Sequence, residues 1–404
     1  MLDTGDTGFM LVATALVMIM TPGLAFFYGG LVSKKNVLTI MMQSYVSMGV
    51  TTILWVTVGY SLCFSGDTGG IIGNLDNALL RGIEPTDLFT GEDGTIPVLL
   101  FVVYQMMFAI ITPALITGAF ANRITFKAYL IFLVAWQLLV YFPFVHMIWG
   151  GGMLSEWGAL DFAGGIVVHA LAGMAALASV LYVGKRNVQD SGAHNVPFVA
   201  LGAALLWFGW FGFNAGSELA VDEITAVAFI NTQIAAAFAA ITWLLLAWHY
   251  DGKPSFVEML IGMIAGLATI TPAAGFVSPQ SAMIIGVAAG GVCYFAVVLR
   301  KKYELDDALD VWGVHGVGGA LGIVMLGVLA STKVNPAGAD GLLISGSTDF
   351  FMAQVSALVL ACIWAFAFTY GMLWGIDNLT PVRVTEETER NLDESLHGES
   401  AYTE

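Results

Sequence analysis

The chain has 404 residues, of which 58% are hydrophobic and 11% charged, with mean hydropathy +0.81 and formal net charge −16. A water-soluble fold of this length needs roughly a quarter of its residues charged to cover its surface. These values exclude a string of soluble domains and point to a polytopic membrane protein.

Stretches of about 20 residues without Asp, Glu, Lys or Arg are long enough to cross the hydrocarbon core as helices. In chain order they fall at 9–31, 38–64, 97–121, 128–149, 163–183, 196–217, 225–248, 259–277, 281–299, 311–331 and 350–376. The eighth and ninth form one uncharged run, divided at Ser278, Pro279 and Gln280. A membrane β-barrel would instead show segments of about ten residues with alternating polarity, so the expected fold is an all-α bundle of eleven helices.

Twelve of the 14 Lys and Arg residues fall in one set of alternate connections and the tail, leaving only Arg81 and Lys333 in the other set. Basic residues mark cytoplasmic loops, which places the N-terminus outside and the C-terminus in the cytoplasm. The outer segments then hold 14 acidic residues, among them Asp67, Glu92 and Asp93, and should enrich cations nearby. Residues 1–8 are acidic where a cleavable signal needs positive charge. Cys63, Cys293 and Cys362 all lie in spans without metal-ligand spacing, and read as packing residues.

The two halves echo one another. Ile111, Thr112, Pro113 and Ala114 in the third span match Ile270 to Ala273 in the eighth, and His169 in the fifth is paired by His315 in the tenth. Both offsets are five helices, and an odd offset inverts the second unit, as in inverted-repeat transporters with a midplane site. His169 lies eight residues past Asp161, about 12 Å along a helix, and His315 five past Asp310, about 8 Å. Ionisable groups at such depth mark pathways or sites by default. Neutral imidazole can accept one hydrogen bond and donate another, suiting an uncharged polar solute or a proton. Two histidines alone do not make a metal site, and no cofactor is expected.

Trp149, Asp161 and Ser217 are expected near the outer boundary, where an indole face and a hydroxyl can hold a small cation. Trp210, Phe213 or Asn214, and Ser217 follow helical spacing, as do Tyr104, Phe108 and Thr112. An interfacial aromatic belt and ordinary core packing would account for the same spacing. No potassium-filter sequence, Walker loop, zinc motif or nucleophile elbow is present, and the short loops leave no room for a catalytic domain, so no enzyme is expected.

These residues resemble the ammonium transporters of the Amt/Mep/Rh family, Amt branch, prokaryotic type. DFAGGIVVH at 161–169, GKR at 184–186, DVWGVHG at 310–316, FGFNAGS at 211–217, HMIWGGG at 146–152 and DESLHGESAY at 393–402 carry the likeness, in family order along nearly the whole chain. The resemblance implies a homotrimer in the plasma membrane, with one pore per subunit and an inverted five-helix repeat (about 9–183 and 196–331) plus a last helix. It implies an outer ammonium site of Trp149, Phe108 and Ser217 with Tyr104 at its edge and Asp161 beneath, a stacked gate of Phe108 and Phe213, and a pore lined by His169 and His315. Methylammonium would serve as substrate analogue, and no nucleic acid is implied. The tail, 377–404, would be an ordered regulatory segment through Asp393, His397, Gly398, Glu399 and Tyr402, with a PII-family regulator as partner at the cytoplasmic exit. Composition alone reads it as a disordered acidic tail. Asn391 stands where the family usually has Gly; a left-handed turn is expected there, which Asn tolerates next best. An ammonium sensor of the same fold is the alternative function.

Overall fold

The computed structural model describes residues 1–91, 94–188 and 192–402. Glu92, Asp93, Asp190 and Glu404, which count in the net charge above, lie outside the described residues. Among the described residues the regular structure is helical, with isolated β-bridges such as Ile124 with Arg383. Ten helices are long and apolar enough to cross a membrane. In chain order the principal helices are α1 (Thr4–Leu31), α2 (Val37–Phe64), α3 (Val98–Ile116), α4 (Phe126–Trp136, Gln137–Tyr141 and Phe142–Trp149), α5 (Gly165–Val183) and α6 (Val196–Ala215). They continue with α7 (Glu223–Asp251), α8 (Phe256–Ile270), α9 (Pro279–Lys302), α10 (Trp312–Leu329) and α11 (Asp349–Asp377). The protein is a multi-pass membrane protein.

Local chemistry sets the helix ends. Asp3 caps α1 by accepting from the N–H groups of Gly5 and Asp6, and Asp222 with Thr225 forms a reciprocal capping box on α7. Pro279 opens α9 behind Ser278, and Arg300, Lys301 and Lys302 close it, favourably placed against the helix dipole. The run expected as a helix to residue 277 differs: α8 stops at Ile270, and a turn spans 271–277. Pro272 cannot donate to the helix ladder. The freed carbonyls of Ala274 and Val277 instead accept from Asn231 Nδ2 at 2.9 and 2.8 Å.

Two close crossings hold the bundle centre. α1 packs along α6, and a Cβ on Gly202 would stand 2.2 Å from the Phe27 nitrogen. α5 crosses α10 at a pair of glycines, each four residues past a histidine. A Cβ on Gly173 would lie 2.1 Å from Gly316 Cα, and one on Gly319 would lie 2.9 Å from the Ala170 nitrogen. Only glycine permits that approach, and it draws the two histidine-bearing segments together. Both segments are π-turns, Gly165–Ala170 and Trp312–Gly316, a widened helical geometry that concentrates at functional sites.

Candidate functional site

At the end of the bundle near the N-terminus, Trp149, Ser217 and Phe108 line one vestibule of about 270 Å³. Its wall also includes Gln105, Phe162, Phe101 and Leu219, which the sequence reading did not single out. Trp149 ends α4, and its indole N–H donates to the Asp161 carbonyl at 2.8 Å. That bond fixes the ring and leaves its face, not its N–H, for a cation. The Ser217 hydroxyl donates to the Phe213 carbonyl at 2.9 Å, leaving its lone pairs as acceptors. Tyr104 is fully buried and does not line this vestibule. Its hydroxyl lies on the Gly212 carbonyl (2.9 Å) and 3.3 Å from Ser217 Oγ, so it supports the serine from behind.

Phe108 and Phe213 close the floor, with ring centroids 4.3 Å apart and planes tilted by 37°. They are in contact but tilted, where a stacked pair was expected. Phe213 also stacks on His169 at 6.0 Å, so the two phenylalanines and the histidine pair form one column of rings. Beyond it lies a cavity of about 20 Å³ lined by His169, His315, Trp210, Phe213 and apolar residues from Met20 to Ile264. That volume holds about one water-sized molecule. His169 Nδ1 and His315 Nδ1 face each other at 3.2 Å, with ring planes 24° apart. In a neutral pair one Nδ1 must donate and the other accept, so the two Nε2 atoms differ, one carrying a hydrogen and one a lone pair. Nε2 of His169 is buried without a hydrogen-bond partner in the structure. Trp210 stacks on the His169 ring and donates to Thr271 Oγ1 at 2.9 Å, which accounts for its place in the spacing pattern. Thr112 bonds back to the Phe108 carbonyl and Asn214 to Thr232; both serve helix packing.

Asp161 shapes both regions. One carboxylate oxygen accepts from the N–H groups of Gly164 and Gly165, and the other from Ile166 and Val167, at 2.6–3.1 Å. These are the unpaired donors at the start of α5, so the carboxylate caps the π-turn that carries His169. Burial pushes its carboxyl above the ordinary range, and the four N–H bonds pull it back. The counterpart before His315 is Asp307, which accepts from the Trp312 N–H at 2.7 Å, not Asp310. Asp307 stands eight residues before its histidine, as Asp161 does. Gly164 and Asp310, three residues further on in each case, both have positive φ (116° and 59°). Asp310 pairs instead with Arg300 at 2.5 Å.

At the opposite end of the bundle the tail is docked, contrary to the reading from its composition. Asp393 accepts from the N–H groups of Leu38 and Thr39 and from the Thr39 hydroxyl, capping α2. Glu389 accepts from the Asn187 and Val188 N–H groups, and Val384 N–H donates to the Arg123 carbonyl. Tyr402 meets His194 Nε2 at 2.8 Å, and the His397 ring packs edge-on against Phe126. Gly398 has the left-handed backbone, φ 67°. Asn391 has no positive φ; its side chain donates to Glu394 at 2.7 Å, so the expected left-handed turn at Asn391 is corrected. Glu399 is exposed beside Gly398. Beneath the tail, Asp306 binds the Arg186 side chain and lies 3.7 Å from buried Arg123, which also donates to the Ala119 and Gly184 carbonyls. Those arginines hold the Asp306 carboxyl at about 2 against the cost of its burial. Among the described residues no cluster of three His, Cys, Asp or Glu could hold a metal ion.

Residues 8–402 match the model of the Ammonium Transporter Family. A Bacillus subtilis protein described as an ammonium transporter is 46% identical over 99% of this chain and 99% of its own length. The crystal structure of Saccharomyces cerevisiae Mep2 superposes with a TM-score of 0.87 at 35% identity, covering 95% of this chain and 91% of that one. A solved "Sensor Amt Protein" superposes with a TM-score of 0.86 at 28% identity over 96% of each chain. With its membrane helices, twin histidines and aromatic vestibule, this chain belongs to the ammonium transporter family.

Proposed function

We propose that the protein recruits ammonium from outside the cell, strips its proton and conducts ammonia inward through the apolar pore. The observation that carries this reading is the order of chemistry along one line. A vestibule with an indole face and a hydroxyl leads to two phenylalanines in contact, then to a cavity sized for one small molecule and lined by a histidine pair. Ammonium and potassium are monovalent cations of similar size, but only ammonium can shed its charge by losing a proton. A potassium ion would meet the apolar pore with its full desolvation cost. Trp149, Phe108 and Ser217 hold the cation, with Tyr104 and Asp161 as supports; Phe108 and Phe213 gate. His169 and His315 pass ammonia, and their shared Nδ1 contact offers a route for the separated proton.

Replacing both His169 and His315 with Ala should relax discrimination against potassium, read as potassium-evoked current in liposomes. Unchanged selectivity would count against the pair.

The architecture behind this reading is eleven spans, α8 included, with the N-terminus outside and the C-terminus in the cytoplasm. Two inverted five-helix units, about 9–183 and 196–331, precede a last helix. Charge bias and the matched features around His169 and His315 support it. The reading places 1–376 in the plasma membrane as a homotrimer, and makes 377–404 a cytoplasmic regulatory tail open to a PII-family regulator. The bonds from Asp393 to α2 and from Glu389 to residues 187–188 support coupling between tail and helices. Deleting 385–404 should change maximal transport and abolish any PII binding; full activity with binding retained would remove this part. An ammonium sensor is the second reading, favoured by the similarity to the Sensor Amt Protein.

A further inference from the structure

One buried pair near the vestibule is not used by that mechanism. His146 sits one helical turn before Trp149 on α4, and its side chain is fully buried. Its Nδ1 lies 2.9 Å from the Cys63 carbonyl and its Nε2 lies 2.9 Å from Asp67 Oδ1. Each ring nitrogen therefore faces an oxygen, a backbone carbonyl on one side and a carboxylate on the other, and the imidazole bridges the two.

The contact ties a loop to the end of a helix. Asp67 Oδ1 also accepts from the Gly70 N–H at 2.9 Å, and the Gly70 carbonyl accepts from the Met153 N–H at 2.8 Å. The His146 carbonyl in turn accepts from both Gly150 and Gly152, in the three-glycine run that follows Trp149. A Cβ on Gly150 would stand 2.1 Å from the Cys63 carbonyl, so the chain after Trp149 is packed against the end of α2, from which that loop runs. Trp149 is therefore held at two points: its indole by the Asp161 carbonyl, and its backbone by a helix end clamped through His146. The His146 bond also keeps the Asp67 carboxyl below the ordinary carboxylate range.

We propose that His146 and Asp67 are positioning residues for the cation site, clamping the 65–74 loop onto the end of α4 so that the Trp149 ring is presented to ammonium. This rests on the reading of Trp149 as part of that site. The pair touches no substrate; it acts through Trp149, and its removal should weaken cation capture while leaving the pore's conductance intact.

The test is a double-mutant cycle on the full-length protein in liposomes, reading ammonium-evoked current against ammonium concentration. Asp67 is half exposed, which makes Asp67→Ala the tolerable variant. Asp67→Ala should raise the half-saturating ammonium concentration roughly tenfold, the worth of one charge-assisted hydrogen bond, with maximal current within about twofold of wild type. In a Trp149→Leu background the same substitution should have no further effect on half-saturation, because its only route to the cation is gone. Should Asp67→Ala reach the membrane poorly, Asp67→Asn is run in the same cycle under the same criterion. An unchanged half-saturation, a fall in maximal current alone, or additive effects of Asp67→Ala and Trp149→Leu would each overturn the proposal. If Trp149→Leu by itself leaves half-saturation unchanged, the site reading fails instead, and the two failures are distinguishable.

Discussion

Asp161 shows how one residue, through its side chain and its backbone, can hold two neighbouring features in place. Its carboxylate takes four backbone N–H groups at the start of α5, while its carbonyl receives the Trp149 indole. Asp161→Asn replaces one acceptor oxygen by an NH2 that faces donors. Hydrogen bonds to a charged group are worth about 1.5–3 kcal/mol each, so the loss should be on the order of 3 kcal/mol or more. A lowered melting temperature in detergent, together with weakened ammonium currents, is the expected outcome; wild-type melting would contradict it. The sequence exposed part of this site directly. Two histidines in otherwise uncharged spans stand out because ionisable groups there are rare. Trp149 and Asp161 could be named, but the bond between them joins residues twelve apart across a connection that no periodicity encodes. Gln105 and Phe162 were missed because nothing distinguishes them from neighbours until the helices converge. Asp307 carries a readable signal, the same eight-residue spacing to its histidine as Asp161, although Asp310 stands nearer in sequence.

At the scale of elements, long spans were legible from charge-free length, and their ends were not. α8 is shorter than its apolar run because Pro272 stops the helix while the sequence stays hydrophobic through the turn. The π-turns around both histidines and the Gly173 to Gly316 crossing depend on how α5 meets α10, which one strand of sequence does not state. The tail illustrates the opposite case. Its composition reads as solvated, yet Glu389 and Asp393 are almost fully buried because each carboxylate caps backbone N–H groups on the bundle. The cluster beneath the tail gives a pH dependence with a defined sign. Asp306 has a folded value of about 2, below the ~3.9 of an unfolded Asp, so its stabilisation is complete above pH ~4 and is lost as pH falls toward 2. Asp310, pushed up to about 6 by burial, opposes it: its penalty appears as pH rises through 4 to 6. Protection of the tail against limited proteolysis should therefore hold from pH 7 down to 5 and weaken progressively as pH falls from 4 toward 2. Loss of protection between pH 7 and 5 would assign the tail's docking to other groups.

Over the whole molecule, the few charges are sorted by position. Twelve of 14 basic residues fall in one set of connections and the tail or at the helix ends beside them; Lys127 lies in the first turn of α4, and Arg300, Lys301 and Lys302 in the last turn of α9. The cavity beyond the two phenylalanines follows the same rule, with no Asp, Glu, Lys or Arg in its lining and two histidines beside aliphatic and aromatic residues. Such a lining suits a solute that leaves its charge behind, and it is what separates this account from a cation channel, which would need carbonyl or carboxylate rings along its length. Transport and sensing part at passage: a sensor needs occupancy of the vestibule alone, so ammonium-evoked current decides between them. The direct measurement is current from the purified protein in liposomes on stepping to equal concentrations of ammonium, methylammonium or potassium. Ammonium and, more weakly, methylammonium should evoke current and potassium none; potassium currents matching those of ammonium would contradict the account.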